Sequence, residues 1–430
     1  MEPGRRPHRN ASLTIPNMRI PYRSLTFWIF IGLFGGIAAG RVFGEAIIPL
    51  ANPLSDIFLR LLRMAIMPLI ITSLTAAVIS VGGRRDLGIL GGKTFAYYIS
   101  SSLLAILTGQ FLVNLLKPGV GSAIEFHEEV TEIPAAAQGP AELILNIIPE
   151  NPFQAMAEGT VLPVIFFCIL FGYFLTRLDE PYKSQLGDFF QGAFKAMMKL
   201  TYAVIWTAPL GVFGINARIM ATTGFEAFRS LGFYFVIVLV GLFIHAAVTL
   251  PLLVYLVTRK NPYRHFMGMP PALITAFSTG STIVTLPLTM KAVTEHSGVS
   301  DKISSFVLPI GATVNMDGTA LYECVAVIFI AQIYGFALSF DQQLIIVLTA
   351  LLASIGAASV PMSGLVMMSI ILGAVGLPLE GVGVILAVDR VLDMFRTMVN
   401  VLSDSCGAVI VAKLDGEEVL PEGPRAAAPG

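Results

Sequence analysis

The chain has 430 residues, of which 55% are hydrophobic and only 13% charged, with a formal net charge of −1. Soluble domains carry about 25% charged residues, so the composition excludes an ordinary soluble protein and indicates an integral membrane protein. The near-neutral balance gives no indication of a nucleic-acid partner. The three cysteines have neither disulfide nor metal-ligand spacing.

Long apolar runs predict the membrane-spanning helices, because a helix needs about 20 apolar residues to cross a bilayer. The first runs in chain order are 24–43, 54–82, 94–116, 154–176, 187–217 and 230–258, and a last span is predicted at 384–411. Basic connections are typical of the cytoplasmic side, and the loop charges place both termini there. Residues 414–430 are expected to form a disordered polar tail.

Two further apolar runs are broken near their middle and predict re-entrant hairpins. The run 266–290 contains Pro270, Pro271 and the polar cluster 278–282, and the run 343–379 is broken at 356–361. Irregular backbone at membrane depth is tolerated only where it lines a cavity or is buried in protein. A pair of interrupted segments indicates a transporter's binding site. The expected fold is all-α, with eight spans and two hairpins.

The last span carries the strongest functional pattern. Its polar residues lie on one stripe of a helix; they are Asp389, Asp393, Arg396, Asn400 and Asp404. Arg390 points off this stripe by roughly 100°. The one arginine on the stripe cannot neutralise three carboxylates, so the surplus negative charge predicts bound cations, either ions or a substrate amine.

A second pattern is the segment 315–319, which contains Asn315, Asp317 and Gly318. Gly318 permits an unwound turn, where side chains and carbonyls could coordinate a hard cation. A kink with a capping aspartate is the alternative. Glu323, in apolar surroundings, could carry a proton or pair with a neighbouring helix. Near the start of the third span, serines 100–102 could complete a sodium site, although such serines more often bond to helices.

His245 stands alone in an apolar span, a position more often filled by a packed histidine than by a functional one. No arrangement of a nucleophile with a base is found, so an enzyme is not expected. These patterns leave a transporter as the favoured class.

The motifs at 315–322, 354–358 and 393–401 together resemble the dicarboxylate/amino acid:cation symporters, the glutamate/aspartate transporter family, over about residues 24–414. The resemblance implies eight spans, two re-entrant hairpins, a homotrimer and an elevator mechanism. It divides the chain into a basic cytoplasmic N-terminus (1–23), scaffold (24–82 and 117–222), transport domain (83–116 and 223–413) and tail (414–430).

The resemblance also implies roles for individual residues. Asp393 would bind the substrate amino group, Arg396 its side-chain carboxylate and Asn400 its main carboxylate. The full substrate set is Ser281, Thr282, Thr319, Ala358, Val360, Pro361, Gly364, Asp393, Arg396, Thr397 and Asn400. Glu323 would carry a proton.

Three sodium sites are implied, and no organic cofactor. The first comprises Asp404, Asn315, Asn400 and Gly311, supported by Asp389. The second comprises Asp317, Asn315, Tyr98, Ser101 and Ser102. The third is formed by carbonyls of Thr313, Met316, Ser354, Ile355 and Ala357.

An arginine at position 396 favours an acidic substrate, because a guanidinium forks onto a carboxylate. Asp393 favours an amino acid over a plain dicarboxylate, which has no ammonium group. One departure from the family is the absence of its second arginine at both Gly280 and Met394, which leaves the site more negative by one charge unless Arg390 reaches in from its different face. The expected function is symport of aspartate or glutamate with sodium and a proton across the plasma membrane. The alternatives are a carrier of neutral amino acids or C4-dicarboxylates, or an anion channel.

Overall fold

The computed structural model describes residues 25–82, 88–122, 145, 148–356 and 363–421. Every regular element in these ranges is helical, and they contain no β-strand. The basic N-terminus, residues 123–144 and residues 357–362, which contain most of the predicted break at 356–361, lie outside the described residues. The last of these contains four predicted site residues, namely Ala357, Ala358, Val360 and Pro361.

The first seven helices cover the first five predicted spans, although the run 154–176, predicted as one span, is divided between two helices. Their bounds are α1 Leu25–Phe43, α2 Ile48–Gly82, α3 Gly88–Leu116, α4 Pro152–Glu158, α5 Val161–Leu175, α6 Tyr182–Ile205 and α7 Ala208–Thr222. The run 187–217, predicted as one span, is divided between α6 and α7, which are bent by 44°. Pro209 lies in the first turn of α7, where a missing backbone N–H leaves no helical bond unmade.

The remaining helices surround the polar segments. Their bounds are α8 Glu226–Ile244, a π-helical turn His245–Thr249, α9 Leu250–Thr258, α10 Tyr263–Gly268, α11 Pro270–Thr279, α12 Thr282–Ser297, α13 Asp301–Val314, α14 Asp317–Ile333, α15 Phe340–Gly356, α16 Ser363–Ala374 and α17 Glu380–Leu414. The predicted hairpins correspond to two helix pairs, α11 with α12 and α15 with α16, and within each pair the arms pack together.

Five helical stretches in the described ranges are long and apolar enough to cross a membrane. They are Phe27–Ile79, which contains both α1 and α2, Ile89–Leu116, Phe228–Thr258, Asp301–Ile333 and Val388–Leu414. The bent pair α6 and α7 adds a sixth if it is one span. The protein is therefore a multi-pass membrane protein, and the count of eight spans remains a prediction.

The helices pack in two groups. In the first group, α1 lies along α7, and α2 packs against α5, α6 and α7. Gly32, Gly36 and Gly40 face the backbone of α7 so closely that a side chain at any of them would collide with it. This is the close packing that small residues at four-residue spacing permit.

In the second group, α14 is central and packs against α3, α8, α15, α16 and α17. In the stretch Asp301–Ile333, 94% of the most apolar part is buried inside the protein, whereas only 39% of the most apolar part of Ile89–Leu116 is buried. The polar segments therefore lie at the centre of this group. Contacts between the groups are made mainly by α17 with α7 and by α15 and α16 with α2.

The expectation of a disordered tail is wrong for residues 415–421. Lys93 Nζ donates to the Leu414 carbonyl at 2.8 Å and lies 3.0 Å from Asp415 Oδ1. Ser300 Oγ donates to Glu417 Oε1 at 2.5 Å, and Val419 and Leu420 are each 1% exposed. The segment is ordered because it buries two apolar side chains and pairs its acidic groups. Residues 422–430 lie outside the described part.

Candidate functional site

The polar stripe of the last span is buried along α17. Each of its five residues is at most 7% exposed; they are Asp389, Asp393, Arg396, Asn400 and Asp404. The stripe therefore faces the protein interior, as the periodicity predicts. It contributes to two clusters, which we call the cation cluster (around Asp317 and Asp404) and the arginine cluster (around Asp393 and Arg396).

The break between α13 and α14 places the first ligands of the cation cluster. Asn315 and Met316 have non-helical backbone angles, with φ −99° and −105°. Asn315 Nδ2 donates to Ser403 Oγ at 2.9 Å and to Asp404 Oδ1 at 3.0 Å. Gly318, predicted to be the unwound residue, lies within α14 instead. Its lack of a side chain lets the backbone of Arg396 approach, since a Cβ would lie 2.7 Å from that carbonyl oxygen.

Asp317 joins three helices. Its Oδ1 accepts from Ser102 Oγ at 2.6 Å and from Ser101 Oγ at 3.3 Å, both on α3. Its Oδ2 accepts from Ser403 Oγ of α17 at 2.6 Å. Ser101 Oγ also lies 3.2 Å from Asn315 Oδ1. The serines thus reach the predicted ion ligands and do more than bond to their own helix.

His245 is fully buried, as expected of a packed histidine, and it also has a polar partner. Its Nε2 lies 3.0 Å from Asp317 Oδ2, and both side chains are 0% exposed. Because a carboxylate oxygen can only accept, Nε2 donates. His245 begins the π-helical turn, and π-helical turns are frequent at functional sites. Buried polar groups usually have hydrogen-bond partners, and this rule could have indicated that His245 belongs to a polar site. Ser403 could have been included because it is adjacent to Asp404 in the sequence.

Asp404 lies against Gly311, where a Cβ would be 2.6 Å from Asp404 Oδ1 and 2.9 Å from the Tyr98 hydroxyl. That hydroxyl donates to the Val307 carbonyl at 2.6 Å. Tyr98 therefore lies beside the Asp404 side of the cluster, although the resemblance groups it with Asp317.

The cation cluster carries unbalanced charge. Within the described ranges, neither Asp317 nor Asp404 forms an ion pair with lysine or arginine, and the nearest basic group is His245. Two buried carboxylates without cations are costly. Carboxylate, amide, hydroxyl and carbonyl oxygens are the ligands of hard cations, so the arrangement suits sodium.

The arginine cluster is built differently. Arg396 Nη2 lies 3.1 Å from Asp389 Oδ1 and 3.0 Å from Asp393 Oδ1. The guanidinium lies over the ring of Tyr322, with its central carbon 3.8 Å from the ring centre, a cation–π contact. Nε and Nη1 of Arg396 are buried and have no hydrogen-bond partner among the described residues. The site therefore holds unused donors at its centre.

Asp389 is not where the resemblance predicts it. It pairs with Arg396, whereas Asp404 lies fifteen residues further along the continuous helix α17. At 1.5 Å per residue this separation is about 22 Å. Asp389 therefore belongs to the arginine cluster and does not support the ion site at Asp404.

Arg390 reaches into the site from its different face of the helix. Its long side chain bends back so that Nη1 lies 2.8 Å from Asp393 Oδ2. Two guanidinium groups, Arg390 and Arg396, thus face two carboxylates, Asp389 and Asp393. The arginine cluster is balanced, and the surplus negative charge of the stripe is confined to the cation cluster.

Asn400 lies between the two clusters. Its Oδ1 accepts from the Gly318 backbone N–H at 2.7 Å, and its Nδ2 donates to Thr319 Oγ1 at 3.1 Å. Thr397 Oγ1 donates to the Asp393 carbonyl at 2.8 Å within α17. These predicted substrate residues are therefore brought together around the start of α14.

The helix pairs close the arginine cluster from two sides. Ser281 caps α12, accepting from the Val284 N–H at 3.4 Å, and Thr282 Oγ1 donates to the Ala312 carbonyl at 2.7 Å. From the other pair, Gly364 faces Arg396, since a Cβ there would lie 2.7 Å from Nη1. Gly280, the residue before Ser281, and Gly364 thus flank the cluster, since a Cβ at Gly280 would lie 3.1 Å from Asp393 Oδ2. The Thr282 hydroxyl is already bonded to α13.

The third predicted ion set is only partly described. Thr313 and Ser354 lie near the ends of α13 and α15, which pack together. Their hydroxyls donate to carbonyls of their own helices at 3.0 and 2.8 Å. Ile355 lies in the same last turn of α15, and Met316 Sδ accepts from Asn400 Nδ2 at 3.2 Å. With Ala357 outside the described residues, this set remains a prediction.

Glu323 is fully buried on α14, and neither of its carboxyl oxygens has a hydrogen-bond partner among the described residues. The alternative of a partner on a neighbouring helix is thus not what the structure shows. Its role as a proton carrier stays a prediction.

Comparison with known proteins decides the family. Residues 25–414 match the model of the sodium:dicarboxylate symporter family. The chain belongs to the sodium:dicarboxylate symporter family. The family consists of transporters, so the chain is a transporter and not an enzyme.

Individual members of this family are similar over most of the chain. Excitatory amino acid transporter 3 of Mus musculus is 39% identical over 416 aligned residues, covering 85% of this chain and 79% of that protein. Excitatory amino acid transporter 2 of Homo sapiens is 35% identical, covering 96% and 82%. An excitatory amino acid transporter of Caenorhabditis elegans is 38% identical, covering 85% and 82%.

Proposed function

We propose that the protein is a secondary active symporter that carries aspartate or glutamate together with sodium ions across the plasma membrane. The family is one of sodium symporters, and its similar members are named excitatory amino acid transporters. The observation that carries the proposal is Arg396, which is 1% exposed and has two donor nitrogens without a partner in the part of the chain that the structure describes, beside Asp393.

An acidic amino acid fits this arrangement group by group. Its side-chain carboxylate would take the unpaired donors of Arg396 in charge-assisted hydrogen bonds. Its ammonium group would bind Asp393, and its main carboxylate would bind near Asn400, with Thr319 and Thr397 adjacent. Unpaired buried donors are costly, so a ligand carboxylate that accepts from Nε and Nη1 would be favoured there.

Sodium would bind in the cation cluster. Asp317 and Asp404, with Asn315 and the serines of α3, supply oxygen ligands and uncompensated negative charge. Asn400 contacts both the start of α14 and the substrate residues. A ligand that orders this segment in one cluster would favour binding in the other, which is the coupling that symport requires.

The mechanism proposed is alternating access by an elevator movement. The second packing group, which contains both clusters and both helix pairs, would be the transport domain, and the first group would be the scaffold. The helix pairs would act as re-entrant hairpins in a fold of eight spans, with both termini cytoplasmic. The assembly would be a homotrimer, and Glu323 would carry a proton.

Uptake of radiolabelled L-aspartate into proteoliposomes tests the substrate assignment. Arg396→Ala is expected to lower uptake by at least about 100-fold, because removing one partner of a buried charge pair costs about 3–5 kcal/mol. The matched control is Arg177→Ala, which removes an exposed arginine that contacts Tyr173. Inhibition of aspartate uptake by added neutral amino acids or C4-dicarboxylates tests the alternative substrates. Unaltered aspartate uptake by Arg396→Ala would overturn the assignment.

A further inference from the structure

Asp393 is held by two arginines. Arg396 Nη2 lies 3.0 Å from its Oδ1, and Arg390 Nη1 lies 2.8 Å from its Oδ2. The side chains of Arg390 and Asp393 are 13% and 10% exposed, so this pair is largely removed from solvent. Arg390 stands one helical turn before Asp393 on α17. Both carboxylate oxygens of Asp393 are therefore engaged by positive charge.

The space for the Arg390 guanidinium depends on Gly280. This glycine ends α11 at the tip of the first helix pair, with a φ of +62°. A Cβ there would lie 2.9 Å from Arg390 Nη1 and 3.1 Å from Asp393 Oδ2. Glycine is favoured by the backbone angle, and its missing side chain also leaves room for the guanidinium.

We propose that Arg390 is a specificity-determining residue that sets how strongly the site favours ligands with an ammonium group. The proposal rests on the proposed function and deepens it. When a ligand without an ammonium group is bound, Arg390 keeps Asp393 compensated. When an amino acid is bound, its ammonium group competes with Arg390 for Asp393 Oδ2. Part of the binding free energy that the ammonium group would gain from Asp393 is therefore lost.

The two states respond differently to removal of Arg390. Without Arg390, Asp393 would have only Arg396 as a positive partner when the bound ligand lacks an ammonium group. A buried carboxylate with too little compensating charge is costly. An amino acid would meet the same carboxylate with its own positive charge and with no competitor. The discrimination between the two ligands should therefore increase.

The test compares L-aspartate with succinate, which has the same carbon skeleton without the amino group. Dissociation constants are measured on the purified full-length protein in sodium, with succinate measured by displacement of labelled aspartate. In Arg390→Met the ratio of the succinate constant to the aspartate constant is expected to rise by about tenfold or more. Arg390→Lys keeps the positive charge and should return the ratio towards the wild-type value.

Gly280→Ala gives an independent arm, because the added Cβ displaces the guanidinium without altering Arg390. We expect a rise in the same ratio that is smaller than for Arg390→Met. In the double variant with Arg390→Met, the alanine should add less than about twofold, because residues that act through one contact are not additive. An additive effect would contradict the shared mechanism.

The outcomes separate the two proposals. A wild-type protein that does not bind aspartate would overturn the proposed function. Aspartate binding with an unchanged or lowered ratio in Arg390→Met would overturn only the role of Arg390, as would a wild-type protein from which saturating succinate displaces no aspartate. If Arg390→Met does not fold, Arg390→Lys and Gly280→Ala decide, and a wild-type ratio in Gly280→Ala would overturn the role.

Discussion

The arginine cluster and the cation cluster share one helix but solve the problem of buried charge in different ways. In the arginine cluster, Asp389 and Asp393 face two guanidinium groups, so the cluster is neutral without a ligand. In the cation cluster, Asp317 and Asp404 are surrounded by hydroxyl and amide groups and by His245. A neutral cluster can exchange its internal partners for a charged organic ligand, whereas an unbalanced cluster needs an added cation.

Position along α17 keeps the two chemistries apart. Asp389 and Asp404 are separated by about 22 Å of helix, and Asn400 lies between them. The start of α14 contacts both clusters through Asp317 and Thr319. This shared segment would couple the binding of one ligand to the binding of the other. Substitutions confined to one cluster can therefore show how far the two clusters act separately.

The largest effect is expected from Asp317→Asn. The change removes one of the two uncompensated charges, so the cation cluster loses much of its need for sodium. Sodium affinity in the absence of substrate should fall by about 100-fold or more, because a buried charge interacts strongly with a bound cation. Sodium titration of the purified protein measures it. The control is Asp179→Asn, at an exposed position after α5. Sodium binding that survives unchanged would mean that Asp317 is not a ligand.

Asp389→Asn tests the separation of the clusters. Arg396 would lose one of the carboxylates that hold Nη2, and aspartate affinity should fall by about tenfold, the effect of losing one buried pair partner. Sodium affinity without substrate should change by less than about twofold, because sites about 22 Å apart without shared partners are close to independent. Both are read from separate titrations of one preparation. A larger sodium effect would restore Asp389 to the Asp404 site.

His245→Ala tests whether the hydrogen bond to Asp317 contributes to sodium binding in the cation cluster. It removes the donor to Asp317 Oδ2, and an unsatisfied buried acceptor costs about 1–3 kcal/mol. Sodium affinity should fall by about tenfold. His245→Gln, which can still donate from its amide, should retain most of the affinity. Equal losses in both variants would indicate a packing role.

The smallest effect concerns Asp415, outside both clusters. The hydrogen bond from Lys93 holds the pKa of Asp415 below its usual value. The stabilisation is therefore complete at neutral pH and is lost as the pH falls through the lowered pKa. Because the carboxyl is exposed and solvent screens the pair, Asp415→Asn should lower the melting temperature only slightly at pH 7. The difference should disappear at acidic pH, and a difference that grew there would contradict the contact.

The sequence predicts those features that depend on local periodicity or composition. The spacing of polar residues on α17 predicts the buried stripe, and the break in the run 266–290 predicts the pair α11 and α12. The sequence left open whether Arg390 reaches the site, because the reach of a long, flexible side chain is not determined by its angle on the helix. The partner of His245 is 72 residues away in sequence, so no local pattern indicates it.

The tail shows the same limit. Residues 415–421 contain three acidic residues, a glycine and a proline, a composition that favours disorder. Their partners are Lys93, Lys260 and Ser300, from three distant parts of the chain. Asp389 is a further case, because the stripe places it beside both Arg396 and Asp393 but does not say which charges pair. Tertiary contacts decide these points.

The most direct test of the central claim is uptake of L-aspartate into proteoliposomes with one ion gradient imposed at a time. We expect L-aspartate to accumulate inside the proteoliposomes above its external concentration when sodium is higher outside. We expect no accumulation when potassium or choline replaces sodium. We also expect that Asp317→Asn abolishes the sodium-driven accumulation. Equal accumulation without a sodium gradient would contradict the assignment of the unbalanced cluster to sodium.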